Sequence, residues 1–167
     1  MAANRIETLR NYFNAGDEPT EAQFYEVMQT IVNPYYNGLQ AKTSGFTAAN
    51  GYIYAVTKVD GMAIVLPTPV VGDKIKFVGI QTTSNTTTIT ADATSTLYNG
   101  YAIISDGEGD SAESKIFEPD GTDDDVLTMS NTTSGHHGTI DLHATATNRW
   151  FCEAWLVGSG AVATPFS

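Results

Sequence analysis

Apolar and polar positions alternate through most of the chain after residue 46, and a helical period appears only before it. The clearest alternation is at 139–147. Ile140, Leu142, Ala144 and Ala146 fall to one side, and Thr139, Asp141, His143 and Thr145 to the other. A period of two is that of a strand with one buried face. Residues 149–157 are apolar on nearly both sides, with Trp150 and Trp155 on opposite ones. Such a strand belongs in the centre of a sheet, or has its second face covered by a neighbouring subunit.

Residues 61–81 organise the rest: strand, Pro-rich corner, strand. Met62 to Leu66 is a short run of branched and apolar residues. Pro67 and Pro69 end it, because proline has no N–H to donate and restricts the residue before it. Gly72-Asp73 marks a turn, and Ile75, Phe77 and Gly79 then alternate with Lys74, Lys76 and Val78. Further strands are expected at 52–57, 86–90, 96–98, 101–105, 115–117 and 126–129. Asp60-Gly61 and Asn99-Gly100 carry hairpin-turn chemistry. Roughly eight strands with turn signals between them predict a mainly β protein, an antiparallel sandwich of jelly-roll type over 45–167. Ile64, Leu66, Ile75, Phe77, Ile140, Leu142, Trp150, Cys152 and Leu156 are its expected core.

Before that domain the period changes. Residues 4–14 read as a helix capped at Asn4, with Ile6, Leu9 and Phe13 on one stripe. Residues 20–33 read as a second, opened by the capping box Thr20-Glu21-Ala22-Gln23. Phe24, Val27, Met28 and Ile31 line its apolar side, and Asn33-Pro34 ends it. Residues 34–45, with Tyr35 and Tyr36, read as a linker. The helical segment is therefore 1–44. Its stripes need a partner surface, because helices this short are marginal alone. Leu9, Phe13, Phe24, Val27, Met28, Ile31, Tyr35 and Tyr36 are the candidate subunit or partner contacts.

Charge narrows the partners. The chain of 167 residues carries a net −11. Phosphate binding needs clustered Lys and Arg, so neither nucleic acid nor an anionic membrane is expected as a partner. Nine acidic residues lie between Asp106 and Asp125 against the single Lys115, and this segment reads as a long exposed loop. One cysteine, Cys152, leaves no internal disulfide. The first residues have no apolar core of a signal peptide, and no run approaches a membrane span. A soluble protein made in the cytoplasm is the expectation.

Candidate chemistry is sparse. His136, His137 and His143 lie close in sequence, with Asp141 beside His143, yet adjacent histidines in a turn do not easily face one metal. Counted from Asp106, the sixth and twelfth positions of a calcium loop are Ser111 and Phe117, where an EF-hand needs Gly and Glu. Asp120, Asp123 and Asp125 remain as an irregular calcium alternative, and a solvated loop is the simpler reading. Cys152 sits inside an apolar strand and reads as a small buried hydrophobe. No nucleophile elbow and no Gly-rich phosphate loop occurs. The expectation is no catalytic site, no metal and no cofactor. Tyr52, Tyr54, Tyr98 and Tyr101 suit a core or an interface, with sugar stacking as the alternative.

Two stretches carry a resemblance. The N-terminal LRNYFNAGDEPTEAQFYEVMQTIVN resembles a short helical module at the front of virion-associated phage proteins. IVLPTPVVGDKIKFV and the late strand RWFCEAWLVGSG resemble the small β-domains of phage head-decoration (cement) and fibre proteins. The resemblance implies a structural virion protein, assembled in the host cytoplasm, that binds the major capsid protein on the outer head surface as a homotrimer. The alternative it leaves is a tail-fibre or receptor-binding protein that recognises host glycans. A hydrolase is a third reading.

Overall fold

The computed structural model describes residues 20, 38–56, 61–81, 86–92, 97–106, 114–130, 135, 137–158 and 162–167. The chain divides into two compact units, Met1–Asn37 and Gly38–Ser167. Apart from Thr20, the first lies outside the described residues. So do both expected helices, with Leu9, Phe13, Phe24, Val27, Met28 and Ile31, and the aromatics Tyr35 and Tyr36.

The second unit is mainly β. Its strands are β1 (Leu39–Lys42), β2 (Phe46–Thr47), β3 (Tyr52–Val56), β4 (Ala63–Val65), β5 (Lys74–Gln81), β6 (Thr87–Thr90), β7 (Leu97–Asp106), β8 (Ser114–Phe117), β9 (Val126–Met129), β10 (His137–Ala146) and β11 (Arg149–Gly158). They form a seven-stranded sheet ordered β1-β3-β5-β10-β11-β7-β8 and a four-stranded sheet ordered β2-β4-β6-β9. The two inner faces share one hydrophobic core.

The sheets are mixed, which corrects the antiparallel expectation. Five ladders are parallel: β1 with β3, β3 with β5, β2 with β4, β4 with β6, and β7 with β11. The reason lies in the path of the chain. From β1 to β6 successive strands alternate between the sheets, so each lies beside the next strand but one and runs the same way. Short connections in one sheet would make hairpins. Here each connection crosses to the other layer, and three or four extended residues span the ~10 Å between stacked sheets. The Pro67–Pro69 corner is such a crossing, from β4 to β5. Its turn is closed by the Asp73 N–H on the Val70 carbonyl at 2.8 Å.

Three local readings change with it. Leu39–Lys42 is an edge strand, where the sequence read a linker. Gly61 has the left-handed backbone of turn chemistry (φ 80°), but β3 and β4 on either side of residues 57–61 lie in different sheets and form no hairpin. Asn99-Gly100 makes no turn either. β7 runs straight through it, and Gly100 (φ 99°) lets its backbone press on that of β11, where a Cβ would meet the Cys152 carbonyl oxygen.

Ile64, Leu66, Ile75, Phe77, Ile140, Leu142, Trp150, Cys152 and Leu156 are all buried. Tyr54 stacks on Phe77 (5.7 Å between centroids) and meets Phe46 at 4.8 Å, with the Lys42 ammonium 4.9 Å over the Phe46 ring. Residues 162–167 dock against β9. Val126 and Ser167 exchange two backbone hydrogen bonds, the Thr128 N–H donates to the Pro165 carbonyl, and Phe166 is buried against Tyr98. Among the described residues no helix is long and apolar enough to cross a membrane.

Tyr98 ties the layers together. It is fully buried, and its hydroxyl donates to the Ile89 carbonyl at 2.9 Å. Burial first, then the nearby Cys152 and Asp125, pushes its phenol well above the ordinary value of 10.0. Above that value the unfolded chain loses the proton while the folded one keeps it, so stability falls as pH rises. Urea melts from pH 8 to 11 should show that decline. Tyr98→Phe should cost about 1 kcal/mol at neutral pH, the size of one hydrogen bond, and flatten the decline. An unchanged alkaline slope would contradict this.

Candidate interaction surface

The outer face of the seven-stranded sheet is built by strands whose other side fills the core. β11 is central, between β10 and β7. Trp150, Cys152, Ala154 and Leu156 point inward and are buried, while Phe151, Glu153, Trp155 and Val157 point outward. Trp155 is 58% exposed. A large aromatic left open in mid-sheet is unusual for a surface that meets only water.

Register turns this residue into part of a row. Ala41 pairs with Ala55, Ala55 with Val78, Val78 with Thr139, Thr139 with Trp155, Trp155 with Ile103, and Ile103 with Ile116. One line of seven side chains therefore crosses the whole sheet, with Thr139 its only polar member. Ile116, at the far edge, is 66% exposed. Val157 extends the patch one step along β11, also exposed.

A polar band runs beside that row. The Lys76 ammonium pairs with Asp141 at 2.6 Å, and the Tyr101 hydroxyl donates to Glu153 at 3.0 Å. Asp141 lies opposite Glu153 across the β10–β11 ladder. The bond to Glu153 holds the Tyr101 phenol above its ordinary range, because the neutral phenol is the form that donates. The face thus carries three cations, Lys74, Lys76 and Arg149, against two carboxylates, Asp141 and Glu153. A surface exchange of this kind adds little stability. It leaves the acid of this face offset in a chain of net −11.

The other candidates separate. His143 lies on the same outer face between Lys74 and Phe151, and His137 opens β10 rather than sitting in a turn. His136 lies outside the described residues. Cys152 is buried, and burial raises its thiol far above the range of a reactive one. Tyr54 and Tyr98 are buried, Tyr52 is packed against the core, and Tyr101 is half-buried on the outer face. Asp120, Asp123 and Asp124 bring carboxylate oxygens within 4.8 Å of one another. The sequence pointed to Asp125, but that residue follows the turn, and its carbonyl accepts the Ala91 N–H. Asp120 accepts the Thr122 N–H at 2.8 Å and its hydroxyl at 2.7 Å, an Asx-type turn that holds its carboxyl low. Asp124 accepts the Asp120 N–H, and burial pushes its carboxyl up. These bonds account for the turn between β8 and β9 as local structure.

The sequence placed Trp155 on a second apolar face, but not Ile103 or Ile116 beside it. Alternation in 101–105 marks Ile103 as outward, yet only register joins three strands into one line. No protein-family model matches the chain, and no curated protein matches it.

The two tryptophans should respond oppositely to substitution. Trp150→Ala should cost about 3–5 kcal/mol, as for a filled core site. Trp155→Gln, measured at low protein concentration, should stay within about 0.5 kcal/mol. Urea unfolding of both variants checks this, and equal losses would contradict the assignment of faces.

Proposed function

We propose that this protein is a structural component of a virion, a capsid-decoration module that works by binding surfaces together. The observation that carries the reading is the apolar row across the outer face of the large sheet, centred on Trp155. Such a face suits contact between subunits of an assembly rather than chemistry, since a continuous apolar patch on a soluble domain marks an interaction site. The two-layer core gives it a rigid support. The likeness of 64–78 and 149–160 to decoration-protein β-domains supports the same reading, and so does the front segment, whose apolar stripes would grip the capsid protein.

Quantitative mass spectrometry of purified particles tests this. The expected result is a copy number that scales with the capsid lattice. A few copies per particle would favour a tail fibre, and absence from particles would overturn the proposal. A chain beginning at Gly38, which retains β1, should fold yet lose binding to the capsid. Undiminished binding would remove residues 1–37 from the anchoring role.

A further inference from the structure

We infer that the outer face of the seven-stranded sheet is a two-fold self-association surface whose occupant is a second copy of this chain. The inference stands on the face itself and holds wherever the protein works.

The row is graded in size. On one side of Thr139 lie Val78, Ala55 and Ala41, and on the other lie Trp155, Ile103 and Ile116. A two-fold axis in the contact plane, close to the direction of β10, reverses strand order and keeps the row. It sets each large side chain over a small one: Trp155 over the partner's Val78, and Ile103 over the partner's Ala55. Thr139 falls on the axis against its own copy. Shape complementarity of this kind is what an isologous contact demands, because the same patch must fit itself. Sheet twist opens the contact outward from the axis, so the Trp155–Val78 pairs carry most of it.

Charge obeys the same operation. Lys76 lies on β5 and Glu153 on β11, one strand to either side of β10. The axis brings Lys76 over the partner's Glu153 twice. Asp141 meets its own copy on the axis, each already held by Lys76 at 2.6 Å. A partner of opposite charge would suit a face of one sign, whereas this one carries both. A chain of net −11 can meet itself closely only where its acid is offset. Extent is sufficient too. At about 4.8 Å between strands and about 3.3 Å per residue, the seven strands at their own lengths present roughly 800 Å² before side-chain relief. A standard interface buries about 800 Å² per partner.

Sedimentation equilibrium on the full chain should give an even number of copies. Trp155→Glu should halve the mass without changing circular dichroism or the melting temperature of the separated chain, since this side chain is 58% exposed. Lys76→Glu should weaken association about a hundredfold, about tenfold for each of the two opposed like-charge pairs the axis makes, and adding Glu153→Lys should restore it. Thr139→Cys, on the axis, should link two copies through a short bis-maleimide. Asn99→Cys lies two strands away, about 20 Å from its own copy, and should not link. Cys152 is buried and does not compete. A monomer at all concentrations, an odd-numbered assembly indifferent to Trp155→Glu, or failure of Thr139→Cys to link would each overturn the proposal. The trimer implied by the family resemblance falls in the second class unless it is doubled.

Discussion

A strand of two to five residues gains stability only if its inward side chains find a second layer at once. The first four strands of this unit are that short. The chain meets the constraint by changing sheets after each strand, so Phe46 and Ile64 in one layer close over Tyr54 and Phe77 in the other. Parallel pairing within each sheet is a consequence of this path rather than a separate preference. Proline at 67 and 69 keeps the β4–β5 crossing out of any ladder. The later strands are longer, and β10, β11 and β7 form the broad wall against which the early coil packs.

The longer strands explain why the wall has two characters. Inward, β11 contributes Trp150, Cys152, Ala154 and Leu156 to a filled interior. The Trp150 indole N–H finds no acceptor there among the described residues. Outward, the same strand places Trp155 in the middle of an open face. An apolar outward face weakens solubility unless something covers it. Its mixed charge and its gradation from small to large side chains across β10 describe a covering surface like itself. A structural role in a virion and a paired face are compatible, since both rest on contact rather than on a reacting group.

Much of this was legible from periodicity. The alternation at 139–147 and the doubly apolar 149–157 locate β10 and β11 and put β11 in mid-sheet. The Pro-Thr-Pro corner locates the β4–β5 crossing. What escaped the sequence was long-range. Asp60-Gly61 and Asn99-Gly100 carry the residues of tight hairpins, yet the chain around one leads from sheet to sheet and the other lets two backbones approach. Residues 39–42 are too mixed in polarity to announce an edge strand. The row from Ala41 to Ile116 draws on seven strands, and no local pattern encodes its register. In the acidic turn no local pattern marks Asp124, rather than its neighbours, as the carboxylate that is buried.

The central claim is that the two sides of β11 face different partners: the protein's own interior, and another copy of the protein. Hydroxyl-radical footprinting over a range of protein concentrations measures both sides at once. Trp150 should stay unlabelled throughout, and Trp155 should be labelled when dilute and become protected as concentration rises. Labelling of Trp155 that does not change with concentration would contradict the account.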